Sequence, residues 1–435
     1  MQSLEEALHA VDSYRCVLSS AKVKDGQLRI KDFTIFLSRF SSIVVLAVGK
    51  ASAPMMKAAL EILGSYETRG IIVAPHGERI PIREGRIQVL RAGHPIPDSD
   101  GLSAARMVLK TVRGMKSDEL LLCLISGGAS AMLPSPPPGV GLEGEKRLTQ
   151  CLLSSNATIH EINTVRRHIS TLKGGRLVEQ CKASSILSLI VSDVPGNCLP
   201  DIASGLTVED PTTYRDAVEV LKRHEIWLKM PRQVKDYLTE GLRGQIPETP
   251  KPGTSSFRRV RNFIIADNRT ACTAAQRALR SDGVEATILS PSAEMEAREM
   301  GRGLASLATG YKEHGKSAIG SRAIIVGGET TVEVKGKGKG GRNQETVLWA
   351  TEGITGLNGT VVAALGTDGV DGNSNAAGAL ADGRTAIRAG RKQLDPKKFL
   401  ARNDSYQFFK SLNDGLVTSR TGTNVGDLYL MISLG

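Results

Sequence analysis

The most regular pattern along the chain is a recurring apolar run that ends in glycine or serine and is followed by an amphipathic segment. The first half contains SSIVVLAVGK, GIIVAP, LLLCLISGG and SILSLIVSDVPG. Continuous apolar runs of this kind are typical of strands buried on both faces of a parallel sheet. Their alternation with amphipathic segments predicts an α/β fold with a doubly wound, Rossmann-like N-terminal domain.

A second set of apolar runs follows: RNFIIADN, EATILS, RAIIVGGE, TVVAALGTDG and DLYLMISLG. It predicts another α/β domain. Between the two sets, LRGQIPETPKPGTSSFRR is rich in proline, glycine, serine and threonine, as linkers and exposed loops are. The sequence therefore predicts an N-terminal domain over residues 1–243, a linker over 244–256 and a C-terminal domain over 257–435.

The chain has 435 residues, of which 40% are hydrophobic, so it can bury a sizeable core in each of two domains. No apolar run approaches the roughly 20 residues of a membrane helix, and the start MQSLEEALHAVDSYR does not resemble a signal peptide. The six cysteines are scattered singly, without metal-binding spacing, which predicts reduced and mostly buried thiols. We therefore expect a cytoplasmic protein with no membrane partner.

The formal net charge of +11 is compatible with a nucleic-acid surface or with a field that attracts small anions. Aromatic residues make up only 4% of the chain and offer few platforms for stacked bases, and no zinc-finger or RNA-recognition signature is present. The composition favours small anionic ligands and no nucleic-acid partner. A merely solvated basic surface is the alternative.

Ligands of open α/β sheets bind beyond the carboxyl ends of the strands, and the chain has a glycine turn at such a place. In SGGASA, Gly127 and Gly128 leave room for backbone amides to approach an anion, while Ser126 and Ser130 offer hydroxyl groups. The turn lacks the lysine of a P-loop, so a simple strand-to-helix turn is the alternative. Lys50, which follows the buried run IVVLAVG, is a candidate for the missing cation, unless its side chain reaches past the sheet edge into solvent.

Two further segments carry polar or basic residues that suit an anion site. AGHPIPDSDG holds His94 in a stiff turn, where we expect it to line the site, and a structural hydrogen bond is the alternative. In NTVRRHISTLKGGRL, Arg166, Ser170 and Lys173 would share one helix face and could aim two cations at an anion. A solvated basic helix face explains the same spacing.

Carboxylates follow two of the predicted strands. Asp193 comes just after SILSLIV and suits a metal ligand or a general base, with a turn-capping role as the alternative. GTDGVDG places Asp368 and Asp371 after TVVAALG, where two carboxylates could hold Mg²⁺ directly or through water. The sequence thus offers carboxylates for a divalent cation in both predicted domains.

The most unusual stretch of the chain is GGETTVEVKGKGKGGRNQE. Its glycines alternate with Lys335, Lys337 and Lys339, which predicts a flexible, charged phosphate clamp. Arg342, at the start of an apparent helix, could bind two phosphate oxygens at once. Three more residues of this stretch are assigned to substrate or nucleotide binding: Glu329, Gly341 and Asn343.

The motifs VGKASAPM, AGHPIPDSDG, SGGASAM, SDVPG, GGRNQE, GTDGVDG and GTNVGDL occur in the order found in class II glycerate 2-kinases, and the chain resembles this family over nearly its whole length. GGRNQE and GTDGVDG are highly specific for it. The resemblance implies ATP- and Mg²⁺-dependent phosphorylation of D-glycerate to 2-phosphoglycerate. It also implies a Rossmann-like domain joined to a C-terminal α/β domain, with the active site in the cleft between them.

The resemblance assigns roles to individual residues. Lys50 and Arg342 match the family's catalytic lysine and arginine, and they would bring positive charge to the transferred phosphoryl group from opposite domains. Asp193 and Asp368 would hold Mg²⁺ or accept the proton of the glycerate hydroxyl, and the division of these tasks stays open. Arg166 would bind the glycerate carboxylate, and the SGGASA turn would hold phosphate.

Three positions depart from the family pattern. Asn197, Leu206 and Asn375 stand where the family usually has the aspartate of SDVPGD, the proline of SGP and an aspartate shortly after GTDGxDG. Losing a carboxylate near a metal would lower the affinity for Mg²⁺. We expect an active enzyme, with weaker Mg²⁺ binding if Asn375 lies next to the ion.

Two alternative functions stay open at this point. A kinase for another small hydroxy acid would use the same residues. An NAD(P)-dependent hydroxypyruvate reductase would need a dinucleotide-binding fingerprint, and the sequence lacks GxGxxG with an acidic residue about 20 positions further on. The sequence does not decide the assembly state, and a homodimer is left open.

Overall fold

The computed structural model describes residues 1–82, 85–155, 157–314 and 320–435. The chain divides into two compact units. We call Ser13–Ile265 the N-terminal unit, and Met1–Asp12 together with Ala266–Gly435 the C-terminal unit. Helix α1 (Gln2–Ala10) belongs to the C-terminal unit because it packs on the helix over Asn268–Ser281.

This division differs from the predicted domain boundaries. Residues 244–256, predicted to be a linker, pack within the N-terminal unit: the Thr249 hydroxyl is buried and donates to Asp210, whose amide donates to the Pro250 carbonyl. The run RNFIIA also belongs to the N-terminal sheet. Prolines interrupt hydrophobic periodicity whether a segment is packed or exposed, so the pattern could not tell these two cases apart.

The N-terminal unit contains two sheets. A three-stranded antiparallel sheet runs β1-β2-β3, and a six-stranded sheet has the order β6-β5-β4-β7-β8-β9. From β6 through β5, β4 and β7 to β8, neighbouring strands pair in parallel, as predicted. The strands are β1 (Ala21–Lys24), β2 (Gln27–Ile30), β3 (Phe33–Phe36), β4 (Ser42–Val48), β5 (Thr68–Pro75), β6 (Ile87–Ala92), β7 (Glu119–Ile125), β8 (Ser185–Val191) and β9 (Val260–Ala266).

Helices connect the strands of the larger sheet, and several begin at side-chain caps that satisfy backbone amides. Asp98 caps α4, and Thr158 with Glu161 forms a capping box at α7. The helices are α2 (Ser13–Ser20), α3 (Ser52–Leu63), α4 (Ser99–Arg113), α5 (Ala129–Met132), α6 (Gly141–Leu153), α7 (Ile159–His168), α8 (Arg176–Gln180), α9 (Tyr214–Arg223) and α10 (Arg232–Leu242).

The C-terminal unit is built on one mixed sheet with the order β10-β11-β15-β12-β13-β14. The last strand of the chain, β15, lies between β11 and β12 and is antiparallel to both. The strands are β10 (Glu285–Glu296), β11 (Arg322–Thr331), β12 (Thr360–Gly366), β13 (Gly378–Asp382), β14 (Gly415–Leu416) and β15 (Asp427–Ser433). The helices are α11 (Asn268–Ser281), α12 (Ala297–His314), α13 (Arg342–Gly353), α14 (Thr385–Arg391), α15 (Pro396–Ala401) and α16 (Ser405–Leu412).

Each unit buries its own apolar core. In the N-terminal unit, one core lies between the larger sheet and its helices and includes Val44 and Leu121. Helices α6, α7, α9 and α10 form a second apolar cluster around Leu148 and Val165. The C-terminal core surrounds Val362 and Tyr429. All six cysteines are free thiols, and four of them are buried. Among the described residues, no helix combines the length and apolar character needed to cross a bilayer.

Candidate active site

The turns after β4 and β7 are hydrogen-bonded to each other. The Ser126 amide donates to the Val48 carbonyl at 3.0 Å, and the Lys50 amide donates to the Gly127 carbonyl at 2.9 Å. Because β4 and β7 are parallel neighbours, their carboxyl ends meet at one edge of the sheet. The structure thus brings Lys50, which is half-buried, next to the glycine turn.

This close approach requires glycine at position 49. Gly49 has a φ of 116°, and a Cβ there would lie 2.4 Å from both the carbonyl oxygen and the hydroxyl of Ser126. Other residues avoid such a backbone conformation, and any side chain would push the two turns apart. The sequence motif VGK therefore has a structural reason that is independent of any ligand.

The Ser126 hydroxyl fastens these turns together. It is fully buried, accepts a hydrogen bond from the Ala51 amide at 3.0 Å and donates to the Val48 carbonyl at 3.4 Å. The helix after the glycine turn, α5, is a single turn of four residues. A helix this short has only a small dipole, so its N-terminus would attract a phosphate weakly. The groups of the SGGASA turn that could bind a phosphate are the backbone amides of Gly127 and Gly128.

Ser130 belongs to a chain of polar contacts behind the turn. Its hydroxyl lies 2.7 Å from the Ser204 hydroxyl, which donates to Asn163 Oδ1 at 2.7 Å. Ala203 and Ser204 both have positive φ, near 50°, which is costly for residues with a side chain. Strain of this kind persists where surrounding contacts fix it, and it is concentrated at functional sites.

His94 lies beside the glycine turn, as predicted. It is exposed, and a Cβ on Gly128 would lie 3.0 Å from Cδ2 and 3.3 Å from Nε2 of the His94 ring. The imidazole therefore borders the same sheet edge as Lys50. Its role in substrate binding stays a prediction.

The basic run at α7 differs from the expected helix face. Helix α7 ends at His168, so Lys173 lies in the following loop. It therefore does not share a helix face with Arg166. Lys173 is buried, and its ammonium donates to Glu145 of α6 at 3.0 Å. Burial lowers the pKa of both Lys173 and Arg166, and the Glu145 carboxylate partly offsets this in both. One buried carboxylate thus faces two cations.

Arg167 is the basic residue whose importance sequence reasoning missed. It is fully buried, and its guanidinium contacts Asp201 at 3.0 Å and Asp210 at 2.9 Å. It is one of two adjacent arginines on a helix, and spacing alone cannot tell which of them points inward. The apolar residue Ile162 lies four positions before Arg166 and so would have indicated Arg166 as the inward residue, and no sequence signal singled out Arg167.

Asp193 follows β8 as predicted and is half-buried. Neither of the two donor groups that could ligate a metal in the described part of the chain contains Asp193 or Asp368. Leu206, which stands where the family has proline, is 2% exposed and packs in the N-terminal core. Asn197 is half-buried in a turn, Asn375 is exposed, and their effect on Mg²⁺ affinity stays a prediction.

Arg342 is the first residue of α13, and two carboxylates fix its guanidinium. Its Nε donates to one oxygen of Asp427 at 2.5 Å and its Nη2 to the other at 3.2 Å, while Nη1 donates to Glu329. Burial alone would lower the pKa of Arg342, but Asp427 and Glu329 together raise it well above its ordinary value. The side chain stays one-third exposed and permanently charged.

Asp427 is the buried anchor of this group. It is the first residue of β15 and 1% exposed, and its Oδ2 also accepts a hydrogen bond from Tyr429 at 3.0 Å. Because its one hydrogen goes to Asp427, the Tyr429 hydroxyl accepts from the Thr330 hydroxyl at 3.0 Å and from the Thr330 amide at 3.1 Å. The position of the guanidinium is therefore set by residues of two adjacent strands.

Asp371 caps the N-terminus of α13 with both of its carboxylate oxygens. Its two oxygens accept from the amides of Asn343 and Gln344, at 3.0 and 2.9 Å, and from the Gln344 side chain at 2.9 Å. Burial, the largest cause, raises the pKa of Asp371 to about 6. Because this carboxylate occupies the helix N-terminus, it also excludes a phosphate from that place. These contacts favour Asp368 over Asp371 as a ligand, and the Mg²⁺ site at this turn stays a prediction.

Gly341 and Asn343 support this cap. A Cβ on Gly341 would lie 2.3 Å from Asp371 Oδ1, so the residue before Arg342 must be glycine for the cap to form. Asn343 is 1% exposed, and its side-chain oxygen has no hydrogen-bond partner within the described chain. Asp368 is half-buried and accepts from the Val370 amide at 3.1 Å.

The glycine–lysine loop before α13 is held in place and is not the flexible clamp predicted. The amides of Lys335 and Gly336 both donate to Asn403 Oδ1 at 2.8 Å, and the Lys339 amide donates to Asp404. A Cβ on Gly336 would lie 2.1 Å from a backbone oxygen, so the glycines serve close packing. The lysine side chains are exposed.

The fold and these contacts define an α/β protein with basic residues fixed at strand ends. Two family models match the chain: the domain of unknown function DUF4147 over residues 1–239 and the MOFRL family over residues 322–427. The glycerate 2-kinase of Pyrococcus horikoshii is 40% identical, covering 98% of this chain and 95% of its own. The chain belongs to the class II glycerate kinase family.

Other relatives agree with this assignment. A D-glycerate 2-kinase of Thermotoga maritima is 39% identical over 89% of this chain and 90% of its own. A crystal structure of a glycerate kinase from the same organism superposes with a TM-score of 0.83, at 36% identity, over 100% of this chain and 98% of its own. A protein of Agrobacterium vitis that is 39% identical over 89% of this chain and 86% of its own carries a provisional name as a hydroxypyruvate reductase.

Proposed function

We propose that this protein is a glycerate 2-kinase, which transfers the γ-phosphoryl group of ATP to the 2-hydroxyl of D-glycerate and releases ADP. The observation that carries the proposal is the Arg342 guanidinium, fixed by Asp427 and Glu329 at the start of α13. Phosphoryl transfer needs few covalent steps from the protein and depends on positioned charge. Its membership of the glycerate kinase family supports the choice of substrate.

The contacts of Arg342 suit an orienting role. A guanidinium has five N–H groups, and three of them donate to Asp427 and Glu329 within the described chain. Two N–H groups are left for a phosphoryl oxygen pair. Since two carboxylates surround one cation, net charge at this place is small, and the benefit to catalysis comes from donors held in a fixed plane.

The N-terminal unit supplies the remaining groups in this proposal. Lys50 lies beside Gly127 at the carboxyl edge of the sheet and would neutralise phosphate charge. Arg166 would bind the carboxylate of D-glycerate, because Glu145 alone does not balance Arg166 and Lys173. That Lys50 and Arg342 act on the same phosphoryl group remains a prediction.

Mg²⁺ is part of the proposal, and the donor chemistry fits it. Asp193 and Asp368 are half-buried carboxylates, the kind of ligand that Mg²⁺ prefers, whereas the oxygens of Asp371 are engaged by amides. One or two carboxylates are enough when the nucleotide phosphates complete the coordination. Bound Mg²⁺ neutralises phosphate charge, and either aspartate would accept the proton of the substrate hydroxyl.

A hydroxypyruvate reductase is not supported by the turns of the N-terminal sheet. A dinucleotide site needs GxGxxG where the first strand meets its helix, and the turns after β4 and β7 read VGKASA and SGGASA. Neither has the third glycine at the required spacing. Absence of nicotinamide-cofactor binding in a fluorescence titration would agree with this.

The test is a coupled assay with purified protein, ATP, Mg²⁺ and D-glycerate. Enolase acts on 2-phosphoglycerate but not on the 3-phosphate, so coupling through enolase without a mutase reports the 2-position directly. We expect turnover in this assay, and no turnover with L-glycerate. A folded protein that releases ADP only with another hydroxy acid would contradict the proposed substrate. A cytoplasmic location and a homodimer remain predictions, the latter testable by light scattering.

A further inference from the structure

A second group of chemically reactive side chains lies in the N-terminal unit, in α7 and in the segment that follows β8. His160, Cys198 and Asp201 present an imidazole nitrogen, a thiol sulfur and a carboxylate oxygen within 4.8 Å of one another. The kinase reaction proposed above gives none of them a task. His160 and Cys198 are exposed, and Asp201 is buried, so the group opens to solvent on one side.

We propose that His160, Cys198 and Asp201 bind a divalent transition-metal ion of the zinc class. The ligand set decides the metal: thiolate and imidazole favour Zn²⁺ and Co²⁺, whereas Mg²⁺ and Ca²⁺ take oxygen ligands. Three protein ligands leave the fourth tetrahedral position to water. On binding, the sulfur–hydrogen bond breaks, a sulfur–metal bond forms and the proton passes to solvent.

The spacing of the ligands is close to that of a metal site. His160 Nδ1 and Asp201 Oδ2 are 3.0 Å apart. In a tetrahedral zinc site with bonds of about 2.0 Å to nitrogen and oxygen, two such ligands lie roughly 3.3 Å apart. The imidazole and the carboxylate therefore need to separate by only a few tenths of an ångström to admit an ion.

Neighbouring residues hold the ligands in this arrangement. Arg167 donates to Asp201 Oδ1 at 3.0 Å, and this leaves Oδ2 directed at His160. The Asn163 side chain donates to the Asp201 backbone carbonyl at 3.0 Å. His160 lies in the first turn of α7, which the Thr158 capping box fixes. Supporting contacts of this kind orient metal ligands and strengthen binding.

A second donor group in the same unit provides a matched control. His76, Asp98 and Asp100 are also within reach of one another, but the group has no sulfur. Asp98 there already accepts from His76 at 2.6 Å and caps α4 through Gly101 at 2.7 Å. Metal bound at this place would give a spectrum without a thiolate band.

The test titrates the full-length chain with Co²⁺ and then displaces it with Zn²⁺. We expect one equivalent of Co²⁺ to give tetrahedral d–d bands and a near-ultraviolet thiolate-to-cobalt charge-transfer band. Cys198→Ser should abolish the charge-transfer band, and His160→Ala should weaken Co²⁺ binding by at least about tenfold. Cys151→Ser, at the other cysteine that is not buried, and His76→Ala should leave the spectrum unchanged.

Two results would overturn the inference: a charge-transfer band that survives in Cys198→Ser, or an octahedral, oxygen-only cobalt spectrum in the wild type. Circular dichroism of each variant checks that it is folded. We expect it to be, because His160, Cys198 and His76 are exposed and Cys151→Ser exchanges a half-buried thiol for a hydroxyl of similar size. Because the readout is the spectrum of bound cobalt, it is independent of whether the protein phosphorylates glycerate.

Discussion

Asp427 binds one edge of the Arg342 guanidinium, with one carboxylate oxygen on Nε at 2.5 Å and the other on Nη2 at 3.2 Å. Asp427 begins β15, which lies between β11 and β12 in the C-terminal sheet. Bidentate pairs of this kind fix the plane of the guanidinium as well as its position. The catalytic proposal for Arg342 therefore depends on geometry that only arginine can satisfy.

Arg342→Lys should reduce the turnover number about 100-fold, because a lysine ammonium cannot contact both oxygens of Asp427 and Glu329 while still presenting donors to a phosphoryl group. The measurement is the enolase-coupled rate at saturating ATP and D-glycerate. The thermal unfolding midpoint should change little, since the positive charge remains opposite the two carboxylates.

Arg388→Lys is the matched control for this change. Arg388 also pairs with both oxygens of an aspartate, Asp414, at 3.0 and 2.6 Å, and its side chain is 37% exposed against 34% for Arg342. The turnover number of the Arg388→Lys variant should equal that of the wild type. If the Arg342→Lys variant also kept the wild-type turnover number, Arg342 would have no role in the reaction.

Lys50→Met should lower turnover by about 10²–10³-fold, the usual cost of deleting one group that stabilises transition-state charge. Methionine keeps the length of the side chain, so the turn that Lys50 and Gly127 form should persist. Lys57→Met, on the exposed face of α3, removes a lysine that stacks on Tyr14 and should leave turnover unchanged. Equal losses in both variants would indicate a general charge effect.

The sequence predicted the parts of the site that follow buried strands. Apolar runs such as SIVVLAV specify a strand strongly, and the residue after such a run must lie at the sheet edge. This places Lys50 at this edge, and the structure puts the Lys50 amide against the Gly127 carbonyl. The same reasoning put Asp193 at the end of β8.

Residues whose partners are distant in the chain could not be predicted in the same way. The spacing of Lys173 predicts a helix face, but Lys173 lies in a loop and its buried partner Glu145 is 28 positions away in α6. Asp427 and Arg342 are 85 positions apart, and no periodicity connects them. Asp371 looks like a metal ligand in GTDGVDG, and only the fold reveals that it caps α13.

Arg166→Gln should raise the KM for D-glycerate roughly tenfold or more, because a charge-assisted hydrogen bond to the substrate carboxylate is worth about 1.5–3 kcal/mol. The KM for ATP should stay unchanged. Arg223→Gln, which breaks an exposed ion pair with Glu161, should alter neither constant. An increase in the KM for ATP alone would place Arg166 at the nucleotide instead.

Lys173→Ala should destabilise the N-terminal unit by about 3 kcal/mol, the lower end of the range for a broken buried pair, because it removes the ammonium that donates to the buried Glu145 carboxylate while Arg166 still offsets part of that charge. The double variant Lys173→Met with Glu145→Gln should recover much of this loss. Lys146→Ala breaks an exposed pair on the same helix, with Glu143, and should cost under about 1 kcal/mol. Urea unfolding of the four proteins measures the difference, and equal costs at Lys173 and Lys146 would contradict the buried pair.

Asp371 should make the C-terminal unit less stable as pH rises from about 4 to 6. Burial, followed by repulsion from Asp427, outweighs the amide donors and raises the pKa of Asp371 to about 6 in the folded chain, against an ordinary value of 3.8. Between these values the unfolded carboxyl has lost its proton while the folded one retains it. The free energy of unfolding therefore falls through this window, by about 3 kcal/mol, and is level above it.

Comparison with Asp371→Asn isolates this effect, since all other titrating groups are shared. The asparagine side chain has one oxygen to accept from the amides of α13, so at low pH it stabilises the folded chain less than the protonated Asp371 does. Because asparagine is never charged, its burial costs no more as the pH rises. The wild-type minus variant difference in unfolding free energy should decrease from pH 4 to 6.5. Trp349 lies in α13 and reports the unfolding by fluorescence in a Trp227→Phe background. A difference that stays constant over this range would mean that Asp371 is ionised in the folded chain well below pH 6.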